Sequence, residues 1–199
     1  MGRKENQNVS FNGNVDFNGN FGGASAGGAI TPGTGVSETF DRMRAVRHVR
    51  LTLSGFVIAV DEADDFGGTK LLDLPDSNLL LLMGEVDLAM VKGGLTNGLI
   101  STVDLDVGIG TAVASASTLA TTMIDVFAKT DLDTDALSLL YAVDTQAQST
   151  AATPLKLADS ATLALYLNVG LPVGITVSDT VTVSGTVDLY FVDLGNVNS

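Results

Sequence analysis

The chain has 199 residues, 45% of them hydrophobic and 17% charged, with a formal net charge of −13. That length suits one domain, or one domain with an appendage, and the hydrophobic share excludes a wholly disordered chain. Cysteine and tryptophan are absent and histidine occurs once, at His48, which excludes disulfide scaffolds, thiol catalysis and cysteine-ligated metals. The longest apolar run, Leu79 to Gly84, is too short to span a bilayer. Met1 to Ser10 is polar throughout, unlike the apolar centre of a secretory signal. An intracellular or virion-borne β-rich protein is expected.

Residues 1–40 form the first unit, an extended arm rich in glycine and asparagine. It contains a repeat, Val9-Ser-Phe-Asn-Gly-Asn14 followed by Val15-Asp-Phe-Asn-Gly-Asn20, and then Phe21. Val9 and Phe11 alternate, as do Val15 and Phe17, which is the period of a strand. Asn-Gly supplies the positive φ angles of a tight turn. Two Val-x-Phe pairs cannot make a core alone, so Val9, Phe11, Val15, Phe17 and Phe21 are expected to anchor the arm on another surface. Gly22 to Gly35 has the composition of a flexible linker.

The charge is graded along the chain. Residues 1–50 carry six basic against four acidic side chains, a net of +2, and residues 51–199 carry four lysines against nineteen acids, a net of −15. All five arginines lie in the first 50 residues, four of them in Asp41-Arg-Met-Arg-Ala-Val-Arg-His-Val-Arg50. Arg42, Arg44, Arg47 and Arg50 are therefore candidate docking charges, because complementary patches steer and register an encounter. Solvation of one face of a first strand explains them equally well. The body's charge argues against nucleic acid and anionic membrane as partners, and the arginine strip lacks the interleaved aromatics that stack bases.

Residues 41–199 form the second unit, and their pattern is β throughout. Candidate strands are 43–53, 55–60, 69–74, 78–91, 98–109, 137–143, 161–171 and 180–194. Val103, Leu105, Val107 and Ile109 alternate with Thr102, Asp104 and Asp106, and Leu163, Leu165, Leu167 and Val169 with Thr162, Ala164, Tyr166 and Asn168. Such alternation predicts strands with one wet face. Phe66-Gly-Gly-Thr69, Pro75-Asp-Ser-Asn78, Gly93-Gly94 and Asn97-Gly98 mark turns. Thr118 to Lys129, apolar at Leu119, Met123, Ile124 and Phe127, predicts one short helix lying over a sheet edge. About eight strands joined by uneven loops predict an all-β protein, a two-sheet antiparallel sandwich of jelly-roll type.

Catalytic motifs are poor. Gly23-Ala-Ser-Ala-Gly27 matches the nucleophile-elbow pattern, but an elbow needs a strand before it and a helix after it, and this one lies in the arm. His48, among arginines, reads as a strand-surface residue, with no second histidine to share a metal. Asp131-Leu-Asp-Thr-Asp135 begins like a calcium loop, yet Ala136 and Ala142 stand where the EF-hand needs glycine and glutamate. A solvated acidic loop is the better reading, and a structural calcium there stays open. Asp61-Glu-Ala-Asp-Asp65 reads as a second acidic turn. No phosphate loop is present. No catalytic residue, cofactor or small-molecule substrate is expected.

His48-Val-Arg-Leu-Thr-Leu53, Lys70-Leu-Leu-Asp-Leu-Pro75 with Asn78 to Gly84, Leu119 to Phe127, Ala164-Leu-Tyr-Leu-Asn-Val169, and Asp179 to Gly195 together resemble a group of tailed-bacteriophage virion proteins that decorate or cement the capsid or form its head fibres. The likeness covers roughly residues 46–195; the Asn-Gly arm departs from it. The resemblance implies a non-enzymatic jelly-roll protein on the capsid exterior, commonly a homotrimer, with the major capsid protein and its own copies as partners. In that setting the arm would dock on both. The alternative is a head-fibre or tail-associated protein whose sandwich presents a receptor- or carbohydrate-binding surface, for which three tyrosines (Tyr141, Tyr166, Tyr190) and no tryptophan make a thin stacking platform.

Overall fold

A computed structural model of the chain describes residues 31–32, 34, 36–40, 46–75, 78–93, 98–100, 102–132, 136–145, 155–157 and 163–194. Within them run eleven strands: β1 (Thr31–Pro32), β2 (Val36–Phe40), β3 (Val46–Val60), β4 (Phe66–Asp73), β5 (Leu79–Lys92), β6 (Leu105–Gly110), β7 (Phe127–Leu132), β8 (Ser138–Thr145), β9 (Leu155–Leu157), β10 (Ala164–Gly170) and β11 (Asp179–Asp193). One sheet has the order β1-β4-β10-β6-β7 and the other β2-β3-β11-β5-β8, with β9 also paired to β5. Every pairing is antiparallel.

The pairings are nested. β3 bonds β11, β4 bonds β10, β5 bonds β8 and β6 bonds β7. The first half of the body is thus one arm of a long double ribbon, the second half the other, and the ribbon is rolled so that successive strands fall in opposite sheets. That is a jelly roll. The all-β antiparallel sandwich expected from the alternation is the fold observed. Its core lies between the sheets, with Leu51, Phe56, Ile58, Leu88 and Phe191 from one side meeting Leu71, Leu167, Val107 and Phe127 from the other. Each such side chain, fully buried, stabilises the fold by roughly 2 kcal/mol.

Two strands expected at 43–53 and 55–60 are one continuous strand, β3. Val49, Leu51 and Leu53 face the core, and after Gly55 the parity flips to Phe56, Ile58 and Val60. A bulge causes the flip: the register against β11 shifts between Val183 and Gly185, and Gly55 takes φ +63°. A one-residue slip reverses every side chain, so the sequence shows two short patterns where the backbone is unbroken.

The short helix expected over Thr118 to Lys129 does not form. The segment holds a single 3-10 turn, Thr121–Met123, and its end is strand β7. The four apolar residues behind that expectation serve different cores. Leu119 and Met123 join Ala114 in a small cluster, with Ile124 packed against it, on the outside of the β4-β10-β6-β7 sheet, while Phe127 enters the main core. A narrow stripe among alanine, serine and threonine gives a helix little to gain.

The wet outer face expected for β6 and β10 is likewise covered. All six residues of β6 are buried, including outward-facing Asp106, Gly108 and Gly110, because residues 111–126 fold back over this sheet. Close approach demands the glycines: a Cβ at Gly110 would lie 2.2 Å from the Thr122 carbonyl oxygen, and one at Gly108 would lie 2.5 Å from Ile124 Cγ2.

Residues 31–40, assigned by composition to the arm, are partly woven into the body. β1 pairs with β4 and β2 with β3 over Val36↔Leu53 to Phe40↔Val49. The chain thereby borders both sheets on one side before the first long strand begins.

Tyr141 of β8 is fully buried, and its hydroxyl has no hydrogen-bond partner among the described residues. Burial pushes its pKa well above the ordinary value. Tyr141→Phe is expected to raise the unfolding free energy by about 1 kcal/mol, since an unmet hydroxyl in an apolar core costs stability. Urea denaturation measures this; a loss of stability would mean that the hydroxyl is bonded in solution.

Candidate functional site

Of the residues singled out in the sequence, Val9, Phe11, Val15, Phe17, Phe21, Arg42 and Arg44 lie outside the described residues. Arg47 and Arg50 are described, near the start of strand β3, and both are engaged within the chain. The Arg47 Nη2 atom lies 2.9 Å from Asp193 Oδ2. Arg47 stands opposite Phe191 in the register, so this pair closes the end of the core-facing side of the sandwich.

Arg50 points to the other, outer face. Its Nε donates to both Asp188 carboxylate oxygens, at 2.9 and 3.1 Å, and its Nη2 to Oδ2 at 3.0 Å. His48, two residues earlier on the same face, also bonds Asp188 through Nε2. Its ring stacks on Tyr190, with centroids 4.4 Å apart and planes within 6°. The register requires this grouping, because Asp188 is opposite Arg50 and Tyr190 opposite His48. On the far side of β11, Asp188 is opposite Glu85 of β5.

Asp188 is the centre of the cluster, with only 3% of its side chain exposed. Burial alone would push its pKa up, but the hydrogen bonds from Arg50 and then His48 outweigh it and hold the carboxyl below the usual range. Arg50 is held more firmly protonated by the same contact. Half of the Arg50 side chain remains exposed.

A second charged group lies on the covered sheet. Lys129 Nζ contacts Asp106 Oδ2 at 2.9 Å and Asp131 Oδ1 at 2.7 Å. Burial raises the Asp106 pKa, while hydrogen bonds with Asp106 and Lys129 lower that of exposed Asp131. The first carboxylate of the acidic run is therefore engaged by a lysine, and Asp133 and Asp135 lie outside the described residues. Among the described residues, no three His, Asp or Glu side chains group to hold a metal ion. Nor is any helix among them long and apolar enough to cross a membrane.

Asn168 of β10 has a larger structural role than any residue the sequence pattern singles out. Fully buried on the outer face of its sheet, it accepts from the Ala114 N–H at 2.8 Å. Its amide donates to the carbonyls of Ala112 at 2.9 Å and Met123 at 2.8 Å. Gly68 and Gly108 are its register neighbours, leaving room for the overlying segment. Lys92 is also buried, its Nζ donating to the Val103 carbonyl at 2.9 Å. A polar residue in an alternating strand reads as solvent-facing, so neither position is legible without the pairing.

The three tyrosines do not converge. Tyr141 is in the core, Tyr166 sits on β10 of one sheet, and Tyr190 on β11 of the other is stacked against His48. They form no shared stacking platform.

Strand order and nesting thus define the class as a jelly-roll sandwich bordered by strands from its own N-terminal stem. No family model, curated protein or solved structure matches the chain.

Proposed function

We propose that the protein is a non-enzymatic virion component that decorates or cements the exterior of an icosahedral phage capsid. The observation that carries the reading is the path of the chain into the body. Residues 31–40 are bonded along both sheets, so the Val-x-Phe repeat, joined to them through residues 22–30, precedes a stem that is itself part of the sandwich. A tethered amphipathic segment gains affinity by strand addition to a second surface, where backbone groups are satisfied without a preformed core. The resemblance of residues 46–195 to capsid decoration proteins supports the major capsid protein, together with sister subunits in a homotrimer, as that surface. Arg42 and Arg44 carry the docking charge in this reading, while Arg47 and Arg50, already bonded to Asp193 and Asp188, hold the base of the strip in place.

The test is truncation before Thr31, which leaves β1 and β2 intact. Chains lacking residues 1–30 are expected to remain folded by circular dichroism. They should also lose at least an order of magnitude in occupancy on purified shells, since the anchoring contacts of a tethered segment act as one multivalent unit. Full occupancy by the truncated chain would refute the role of the arm, and absence of shell binding by the intact chain would refute the capsid reading.

A further inference from the structure

We infer that the outer edge of β8, which no described residue pairs, is the receptor for the Val-x-Phe segment, residues 9–21, of a second copy of this chain. The two sides of the sandwich differ. On one side β4 and β3 are bordered by β1 and β2; on the other, β7 and β8 end their sheets with no described residue paired beyond them. An open edge presents unpaired N–H and C=O groups, a template for a further strand.

The β8 edge also carries an apolar mark. Leu140 is 65% exposed and faces outward beside Ala89 of β5, and Val91, 46% exposed, lies in the adjacent row. Its outward neighbours along β8, Ser138 and Ala142, are small and uncharged. Asp144, near the far end of the strand and opposite Glu85, is the one charged residue of β8, so the stretch from Ser138 to Ala142 lacks the charges that usually guard an edge. A strand laid along β8 with Val9 and Phe11, or Val15 and Phe17, on its outward face would extend the apolar row begun by Leu140 and Val91, and Ser10, Asn12 or Asp16 would fall on the opposite face. Each hexad ends in Asn-Gly-Asn, which limits the added strand to a few residues, shorter than the eight of β8.

A neighbour's segment fits better than the chain's own. To reach β8 from Thr31, the chain's own linker would cross the width of a sheet, about 19 Å for four strand spacings. Gly22 to Ala29 offers no large apolar side chain to hold such a crossing. In side-by-side copies, by contrast, the stem at β1 and β2 of one copy stands next to β8 of the next. This contact is heterologous and closes into a ring when the rotation permits. It concerns the free protein and stands whether or not the chain binds a shell.

The chain has no cysteine, which permits a direct test. Phe11→Cys and Phe17→Cys chains, thiol-activated as mixed disulfides, are each combined with Leu140→Cys chains in otherwise intact protein. Val173→Cys, at an exposed loop position, is the control acceptor. Docking raises the local thiol concentration toward the millimolar range, so at micromolar protein at least one pair is expected to cross-link to Leu140→Cys roughly 100-fold faster than to the control. Equal rates for the two acceptors would overturn the inference. So would a Phe17→Cys/Leu140→Cys double variant that closes within one chain at every dilution, which would assign the edge to the chain's own arm. Dominant Leu140-to-Leu140 cross-linking between Leu140→Cys chains would show that the edges pair with each other.

Discussion

Asn168→Ala is expected to lower the unfolding free energy by about 4 kcal/mol, with a fall of about 10 °C in melting temperature for a chain of this size. The change removes one acceptor and two donated hydrogen bonds at a site without solvent access, orphaning the Ala114 N–H and the Ala112 and Met123 carbonyls. An unmet buried backbone group costs about 1–3 kcal/mol, so three of them outweigh the small volume lost. Asn168→Leu should fare no better, because filling the space leaves the same groups unmet. Asn168→Asp keeps the acceptor but buries a charge facing two carbonyls. Its carboxyl pKa is therefore raised on folding, and its deficit should shrink as pH falls and the protonated acid donates to one carbonyl. Chemical denaturation at two pH values reads all three variants. Hydrogen exchange locates the effect, since residues 111–126 should lose protection first. A loss below about 1 kcal/mol with protection unchanged would show that this segment does not depend on Asn168.

Asp188→Asn is expected to cost about 2 kcal/mol at neutral pH, less than the deletion of a wholly buried ion pair because Arg50 remains half-exposed. The pH dependence distinguishes the charge from the shape. The folded-state pKa of Asp188 is depressed, so its contribution is fully present above the unfolded value, near 3.9, and is lost as pH falls through the lower folded value. Wild type and Asp188→Asn should therefore differ in stability at pH 7 and converge below about pH 4. A gap that stayed constant from pH 7 to pH 3 would mean that packing, not the Arg50 and His48 contacts, carries the effect. The same variant loosens the base of the arginine strip, so a fall in shell occupancy without loss of the arm would link this cluster to docking.

The covered face between residues 105 and 126 shows where local pattern stops being informative. Period two in Leu105, Val107 and Ile109 correctly gives a strand, because side chains alternate whatever lies outside. The same pattern gives Asp106, Gly108 and Gly110 to solvent, and there the reading fails. What covers them is a segment whose own apolar spacing resembles a helix, and its backbone groups are satisfied by Asn168, more than forty residues further along the chain. Two-residue alternation records burial on one face; it cannot record a loop returning over the other. The bulge at Gly55 is a second instance, since the parity flip is visible in the sequence but its meaning, a kink in one strand rather than a break between two, depends on the partner strand.

The candidate site divides in the same way. Charge grading and the Arg42–Arg50 strip are sequence properties. That Arg50 and His48 meet one carboxylate, with Tyr190 stacked beside it, follows from the antiparallel register of β3 on β11, across 138 and 140 residues of chain.

By itself the sequence determined the all-β class, the approximate places of most long strands, the acidic body and the amphipathic repeat at its N-terminal end. Composition and period carry these because they depend on neighbours within a few residues. Only the tertiary structure decided the nested pairing that makes a jelly roll, the conversion of the expected helix into a cover over β6 and β10, and the edges that are bordered or left open. Those depend on which distant backbone groups satisfy one another, and each hydrogen bond of that kind is chosen by the whole packed chain rather than by the residues beside it.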